Sequence, residues 1–285
     1  MIFYEFLITG KNINGGSNRR FILLLVFIGV CGISLFAQSH VLQNSVQPNK
    51  YNFSQFGNET WDFIRQPAKW DGGDWLKLGL IGAGTFIIIE TADQPIRDVV
   101  LKNQQYYNSL PIKIGNMWGD WYPTVIIAGG FALHGLLDDY SPSKKIAFEV
   151  IQAGLYTEIV TQIIKHAFGR ARPYNELGPN AFKPFSFLGW DFTSLPAGHS
   201  TWAFSLSTVL SRNVKQGWLK ALAYLPAGLT FVARIYQDHH WTSDNFLAAV
   251  LAYFIATWVV DQHEKKESIV KISSGFPLTV VVPLN

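Results

Sequence analysis

Cysteine is nearly absent: Cys31 stands alone, so the chain can close no intrachain disulfide and build no cysteine-ligated metal centre. Charge is also scarce. Asp, Glu, Lys and Arg make up 15% of the 285 residues, against roughly 25% in an average soluble domain. With a formal net charge of +3, no long basic run and no base-reading motif, the sequence offers nucleic acid little to bind. It contains no internal repeat, which excludes solenoid and propeller architectures. No group of His, Cys, Asp and Glu has zinc-ligand spacing, so neither a metal nor another cofactor is expected. Apolar and aromatic residues are abundant. Hydrophobic positions reach 48%, with ten tryptophans, eleven tyrosines and twenty-one phenylalanines, a supply suited to interfacial belts. That composition leans toward a membrane protein, although mean hydropathy is only +0.14.

Arg19 and Arg20 precede an apolar run over residues 21–36 that closes on Ala37. A charged start, an apolar centre and a small residue at its end describe a secretory signal, and an uncleaved anchor helix fits the same pattern. Residues 1–37 are therefore read as signal peptide or anchor, 38–74 as a polar lead-in, 75–261 as a helical domain and 262–285 as a tail. Six apolar segments of helical length follow the lead-in, over residues 75–91, 121–137, 146–164, 200–210, 218–235 and 245–260. Several approach the ~20 residues that span hydrocarbon. The third carries Glu149, Gln152, Glu158 and Gln162, and the fourth is rich in Ser and Thr. Polar side chains in lipid face other helices or a cavity. A six-helix bundle with a polar centre is expected, transmembrane or, alternatively, soluble in the periplasm. The loop over residues 166–198 is long for a helix connection and is a functional suspect. Its aromatics Phe182, Phe185, Phe187 and Trp190 suit either a gate over a site or anchors at a membrane interface.

Three clusters carry chemistry. Lys165-His-Ala-Phe-Gly-Arg-Ala-Arg172-Pro173 places an ammonium and a guanidinium two helical turns apart, on one face if the helix persists. Pro173 biases Arg172 out of helix. Such a pair suits a phosphoryl group, although a basic helix end is an ordinary feature. Leu195-Pro196-Ala197-Gly198-His199-Ser200 opens the fourth helix. There Gly198 permits a turn that aims N–H groups at an anion, and His199 stands beside it as a proton carrier. A Pro-Gly turn with a packing histidine is the plainer reading. In Arg234-Ile-Tyr-Gln-Asp-His-His240-Trp-Thr-Ser-Asp244, His240 and Asp244 are four apart and meet on a helix. A carboxylate on one imidazole nitrogen would leave the other free as a nucleophile, and it favours His240 over His239.

Together the clusters resemble the tripartite signature of the type-2 phosphatidic acid phosphatase superfamily: Lys-x6-Arg-Pro, Pro-Ser-Gly-His and Ser-Arg-x5-His-x3-Asp. Lys165, Arg172, Pro173, Pro196, Gly198, His199, Arg234, His240 and Asp244 all match, while Ala197 and Ala233 stand where the family has serine. The resemblance implies an all-α six-helix bundle and a metal-independent phosphatase acting on a lipid phosphate monoester or pyrophosphate. By the same resemblance, Lys165, Arg172, Arg234 and Gly198 hold phosphate, His240 attacks phosphorus, Asp244 orients it and His199 moves the leaving-group proton. A phosphotransferase or a vanadium-dependent haloperoxidase is the alternative on the same scaffold. The implied partners are a phosphorylated lipid and the membrane of a bacterial-type envelope. Loop charges favour an inner-membrane location with the active site toward the periplasm, because Lys144, Lys145, Arg212, Lys215, Lys220, Lys265 and Lys266 gather at the opposite end. A signal over residues 21–37, followed by three crossings, puts Lys165 on the other side; the two readings conflict.

Overall fold

The structure is a computed structural model that describes residues 49–185 and 189–273. The expected signal or anchor, Phe187 and the tail beyond residue 273 lie outside the described residues. Among the described residues the secondary structure is helical, with one isolated β-bridge between Arg170 and Phe182. The helices are α1 (Phe53–Ile64), α2 (Gly72–Thr91), α3 (Asp93–Leu101), α4 (Leu110–Gly119), α5 (Trp121–Leu137), α6 (Ser141–Phe168), α7 (Gly198–Asn213), α8 (Gly217–Leu222), α9 (Leu225–Tyr236) and α10 (Thr242–Ser273).

Five of the six expected segments appear as single helices. The segment at 218–235 instead breaks into α8 and α9. Pro226 has no N–H to continue a helix and fits a first turn, which is where α9 starts. α1, α3 and α4 fall outside the six expected segments, because they are short and interleave polar with apolar residues.

Contacts between helix ends set the directions. The end of α5 meets the start of α6, where a Cβ on Gly135 would touch the Lys144 backbone. The start of α3 reaches the start of α10 through Asp93 and Ser243. α2, α6 and α9 thus climb toward one end of the bundle, and α5, α7 and α10 descend from it. All three motif clusters sit at that end.

The interior is mixed. Val150, Ala153, Tyr156, Leu206, Val209, Ala256, Val259 and Val260 form an apolar core. Above it the hydroxyls of Thr161 and Thr201 pair at 3.0 Å. Glu149 and Gln152 face inward as expected, but Gln162 points outward and donates to Glu158. At the end away from the motifs, buried His263 sets Nδ1 at 3.0 Å from Glu149 and Nε2 at 3.1 Å from Glu59. Glu59 also meets Lys266, so α1 is tied to α10 by charge.

The outer surface is apolar. Leu76, Leu80, Phe86 and Ile87 on α2, Ile126, Leu133 and Leu136 on α5, and Leu155, Ile159 and Ile163 on α6 are exposed. Among the described residues two helices are long and apolar enough to cross a membrane, Gly72–Thr91 and Thr242–Lys266, and Trp121–Leu137 is a shorter apolar one.

Close approach of α4 to α9 positions Arg234, and it depends on Gly115. A Cβ there would lie 2.4 Å from the Leu229 carbonyl oxygen. Gly115→Ala is expected to cost about 1–3 kcal/mol through overpacking. A lowered thermal midpoint checks this; an unchanged midpoint contradicts the close packing.

Candidate active site

α6 stops at Gly169, whose φ of +57 is left-handed and whose Cβ would run into the Lys183 carbonyl. Glycine is therefore the residue that lets the chain turn off the helix here. As a result the helix does not persist to Arg172, so Lys165 and Arg172 share no helical face, and Arg172 lies in extended backbone past the turn, as Pro173 implied. Lys165 stays on the last turn of α6, buried, and donates to the carbonyls of Thr193 at 2.7 Å and Pro196. Arg172 reaches the same place from the loop. Its backbone N–H bonds to Asp191, and its side chain donates to the Trp190 carbonyl at 3.1 Å.

His240 is 3% exposed and lies just before α10. Its Nδ1 sits 2.9 Å from the Ser194 carbonyl oxygen. A carbonyl only accepts, so Nδ1 carries the proton and Nε2 keeps its lone pair. This corrects the expected pairing: Asp244 is the second neighbour of that nitrogen, at 3.6 Å. The Asp244 carboxylate is occupied elsewhere. It accepts from the Ser194 hydroxyl at 2.5 Å, the Trp241 N–H at 2.8 Å and Arg170 at 2.6 Å.

Arg170 and Asp93 were not among the expected site residues. Arg170 is fully buried and bridges Asp244 to Asp93, which it meets at 2.7 Å. Its place inside the first motif, two residues before Arg172, was the available signal. Nothing near Asp93 in the sequence pointed to it.

His199 is the second residue of α7, and its Nε2 lies 3.1 Å from Asp120. Gly198 departs from expectation, since its φ is not left-handed and a Cβ there would meet only Lys165 Cε, at 3.8 Å. Its small size leaves open the space next to the lysine. Arg234 donates NH1 to Asn116 at 2.9 Å, while its buried Nε–H finds no acceptor among the described residues. Ala197 and Ala233 are both fully buried. Without a hydroxyl, Ala197 gives α7 no side-chain cap.

The site is strongly positive. Burial lowers the His240 pKa well below its ordinary 6.5, and the charges of Lys165 and Arg172 add to this; the nearby Asp244 carboxylate only partly opposes it. His239 is held at about 4, by burial first and then by Arg234 and Arg172. Burial raises the Asp120 carboxyl above its usual range, with Arg234 pulling the other way. A cluster of one ammonium and two guanidiniums, of which Lys165 and Arg234 are buried and Arg172 is partly exposed, around a neutral imidazole is a site for an oxyanion such as phosphate.

Parts of the chain are similar to one family model and to two known proteins. Residues 147–268, a segment holding all three motifs, match the family model of the PAP2 superfamily. A lipid A 1-phosphatase of Porphyromonas gingivalis is 28% identical over 102 residues, which is 34% of this chain and 20% of that protein. The chain thus matches about a fifth of the length of this curated relative. The crystal structure of Aquifex aeolicus LpxE aligns at 19% identity with a TM-score of 0.46, over 59% of this chain and 94% of that one.

Because the folded site disfavours protonation, His240 is expected to remain neutral with Nδ1–H as pH falls through 6.5. The unfolded chain takes up that proton, so folding stability declines as pH falls below 6.5. Nitrogen-15 NMR of histidine-labelled protein at pH 6 checks the tautomer. A doubly protonated His240 would contradict it.

Proposed function

We propose that this chain is a metal-independent phosphatase that hydrolyses a lipid phosphate monoester or pyrophosphate through a phosphohistidine at His240. The observation carrying the reading is the free Nε2 of His240, with its proton fixed on the other nitrogen, inside the cationic cluster of Lys165, Arg172 and Arg234. In the first step the Nε2 lone pair forms a bond to phosphorus as the P–O bond to the leaving group breaks. His199, protonated when the substrate dianion binds, gives its proton to the leaving oxygen. In the second step His199 takes a proton from water, whose oxygen attacks phosphorus and breaks the N–P bond. Lys165, Arg172 and Arg234 neutralise charge on the equatorial oxygens, and the unpartnered Nε–H of Arg234 supplies a donor for one of them. Asp244 opposes the positive charge that the His240 ring gains on bonding phosphorus.

A lipid substrate is supported by the apolar outer faces of α2, α5 and α6 and by the P. gingivalis relative, a lipid A 1-phosphatase. On this reading residues 75–261 form the catalytic domain and the bundle crosses a bacterial inner membrane. α2, α5 and α6 give three crossings between Gly72 and Lys165. With the basic end inside, the catalytic end faces the periplasm. An export signal over residues 21–37 would give the reverse orientation. Alkaline phosphatase fusions separate the two: activity is expected at Gly178 and absent at Lys144, and the opposite pattern overturns the orientation.

The chemistry is tested by phosphate release from purified protein in detergent, using phosphatidic acid, phosphatidylglycerophosphate, undecaprenyl pyrophosphate, lipid A and a soluble monoester. Release is expected from a lipid, unchanged by EDTA and abolished in His240→Ala. Arg234→Lys, which loses the fork and Nε–H, is expected to lower kcat/KM on the order of 10²-fold. Full activity in His240→Ala would overturn the assignment.

A further inference from the structure

We propose that Asp93 and Arg97 of α3, both outside the segment that matches the family, are positioning residues for His240. The inference rests on the phosphohistidine reading above. α3 follows α2 directly and lies against the loop that carries His239 and His240.

Asp93 is 1% exposed at the first position of α3. Its Oδ1 accepts from the Ser243 N–H at 2.9 Å, and its Oδ2 from the Ser243 hydroxyl at 2.5 Å and Arg170 at 2.7 Å. The other terminal nitrogen of Arg170 donates to Asp244. One buried guanidinium is therefore shared by two carboxylates. When Nε2 bonds phosphorus and Nδ1 keeps its proton, the ring becomes cationic, and Asp244 is the carboxylate beside it. Without the charge of Asp93, Arg170 turns its whole charge on Asp244, which then stabilises that ring less.

Arg97, one helical turn further along, holds the other side of the same loop. It donates Nε and NH2 to Asp238 at 2.7 and 2.8 Å. Asp238 has a φ of +58, a left-handed conformation that a non-glycine residue keeps only under restraint. The fork on its carboxylate restrains the turn that delivers His239 and His240. Trp241, almost fully buried, lies 5.8 Å from the Arg97 guanidinium and 5.4 Å from that of Arg170, so both cations also pack on the residue after His240. Neither Asp93 nor Arg97 needs to touch substrate for this role.

The test uses the full chain in detergent with the best lipid of the panel. Asp93→Asn is expected to lower kcat by about 10- to 100-fold with KM within about twofold, the pattern of a lost outer-shell partner. Arg97→Gln alters a side chain nearer the surface and keeps a folded variant available if Asp93→Asn fails to fold. It is expected to lower kcat about threefold to tenfold at unchanged KM. A second readout is orthovanadate, which resembles phosphate and accepts an imidazole nitrogen as a fifth ligand. It should bind either variant several-fold more weakly than wild type, while inorganic phosphate competes equally well. If a folded variant has wild-type kcat and vanadate affinity, the inference fails and the phosphatase reading stands. If the wild type neither releases phosphate nor binds vanadate, the phosphatase reading fails and takes the inference with it.

Discussion

Arg170 carries its charge where no water reaches it, and the arrangement around His240 depends on how that charge is matched. A buried guanidinium is costly unless its donors are satisfied, and here each nitrogen has an acceptor: the Pro179 carbonyl, Ser243, Asp244 and Asp93. Meeting those demands draws together the exit of α6, the start of α3 and the first turn of α10. Once they are joined, Asp244 can cap Trp241 and accept from Ser194, and the Ser194 carbonyl is left facing His240. The tautomer of the imidazole is thus fixed by a backbone carbonyl that this charge network holds in place.

The same segregation of charge runs through the whole bundle. One end concentrates Lys165, Arg172 and Arg234. The other holds the His263 network, in which one imidazole lies between two glutamates and so donates to both when doubly protonated. Between them lies the apolar core, with the hydroxyls of Thr157, Thr161 and Thr201 bonded to the backbone or to each other. The outward faces of α2, α5 and α6 are apolar enough that lipid is a better solvent for them than water.

Much of the architecture was legible because long apolar runs of helical length leave few alternatives, as α5 and α6 illustrate. α3 and α4 were not legible. Nine or ten residues are too few to stand out as an apolar segment, and their reason for being helical is the tertiary surface they cover. The motif residues were legible by type and spacing, and the structure brings Lys165, Arg172, His199, Arg234 and His240 to one end. Their geometry was less so. Spacing alone implied that Asp244 would bond one imidazole nitrogen of His240, whereas a backbone carbonyl from a loop 46 residues away takes Nδ1. Backbone acceptors leave no mark on the identity of a residue. Asp93 was invisible for a related reason, since its partners lie 77 and 150 residues away.

The central claim is that His240 Nε2 becomes covalently bonded to phosphorus. The most direct measurement is acid-free trapping of the enzyme during turnover of a lipid labelled in its phosphate, followed by site mapping. The account predicts a label that is stable to base, lost in mild acid and carried on His240. Label on another residue, or turnover with oxygen-18 water that inverts configuration at phosphorus in a single displacement, would contradict it.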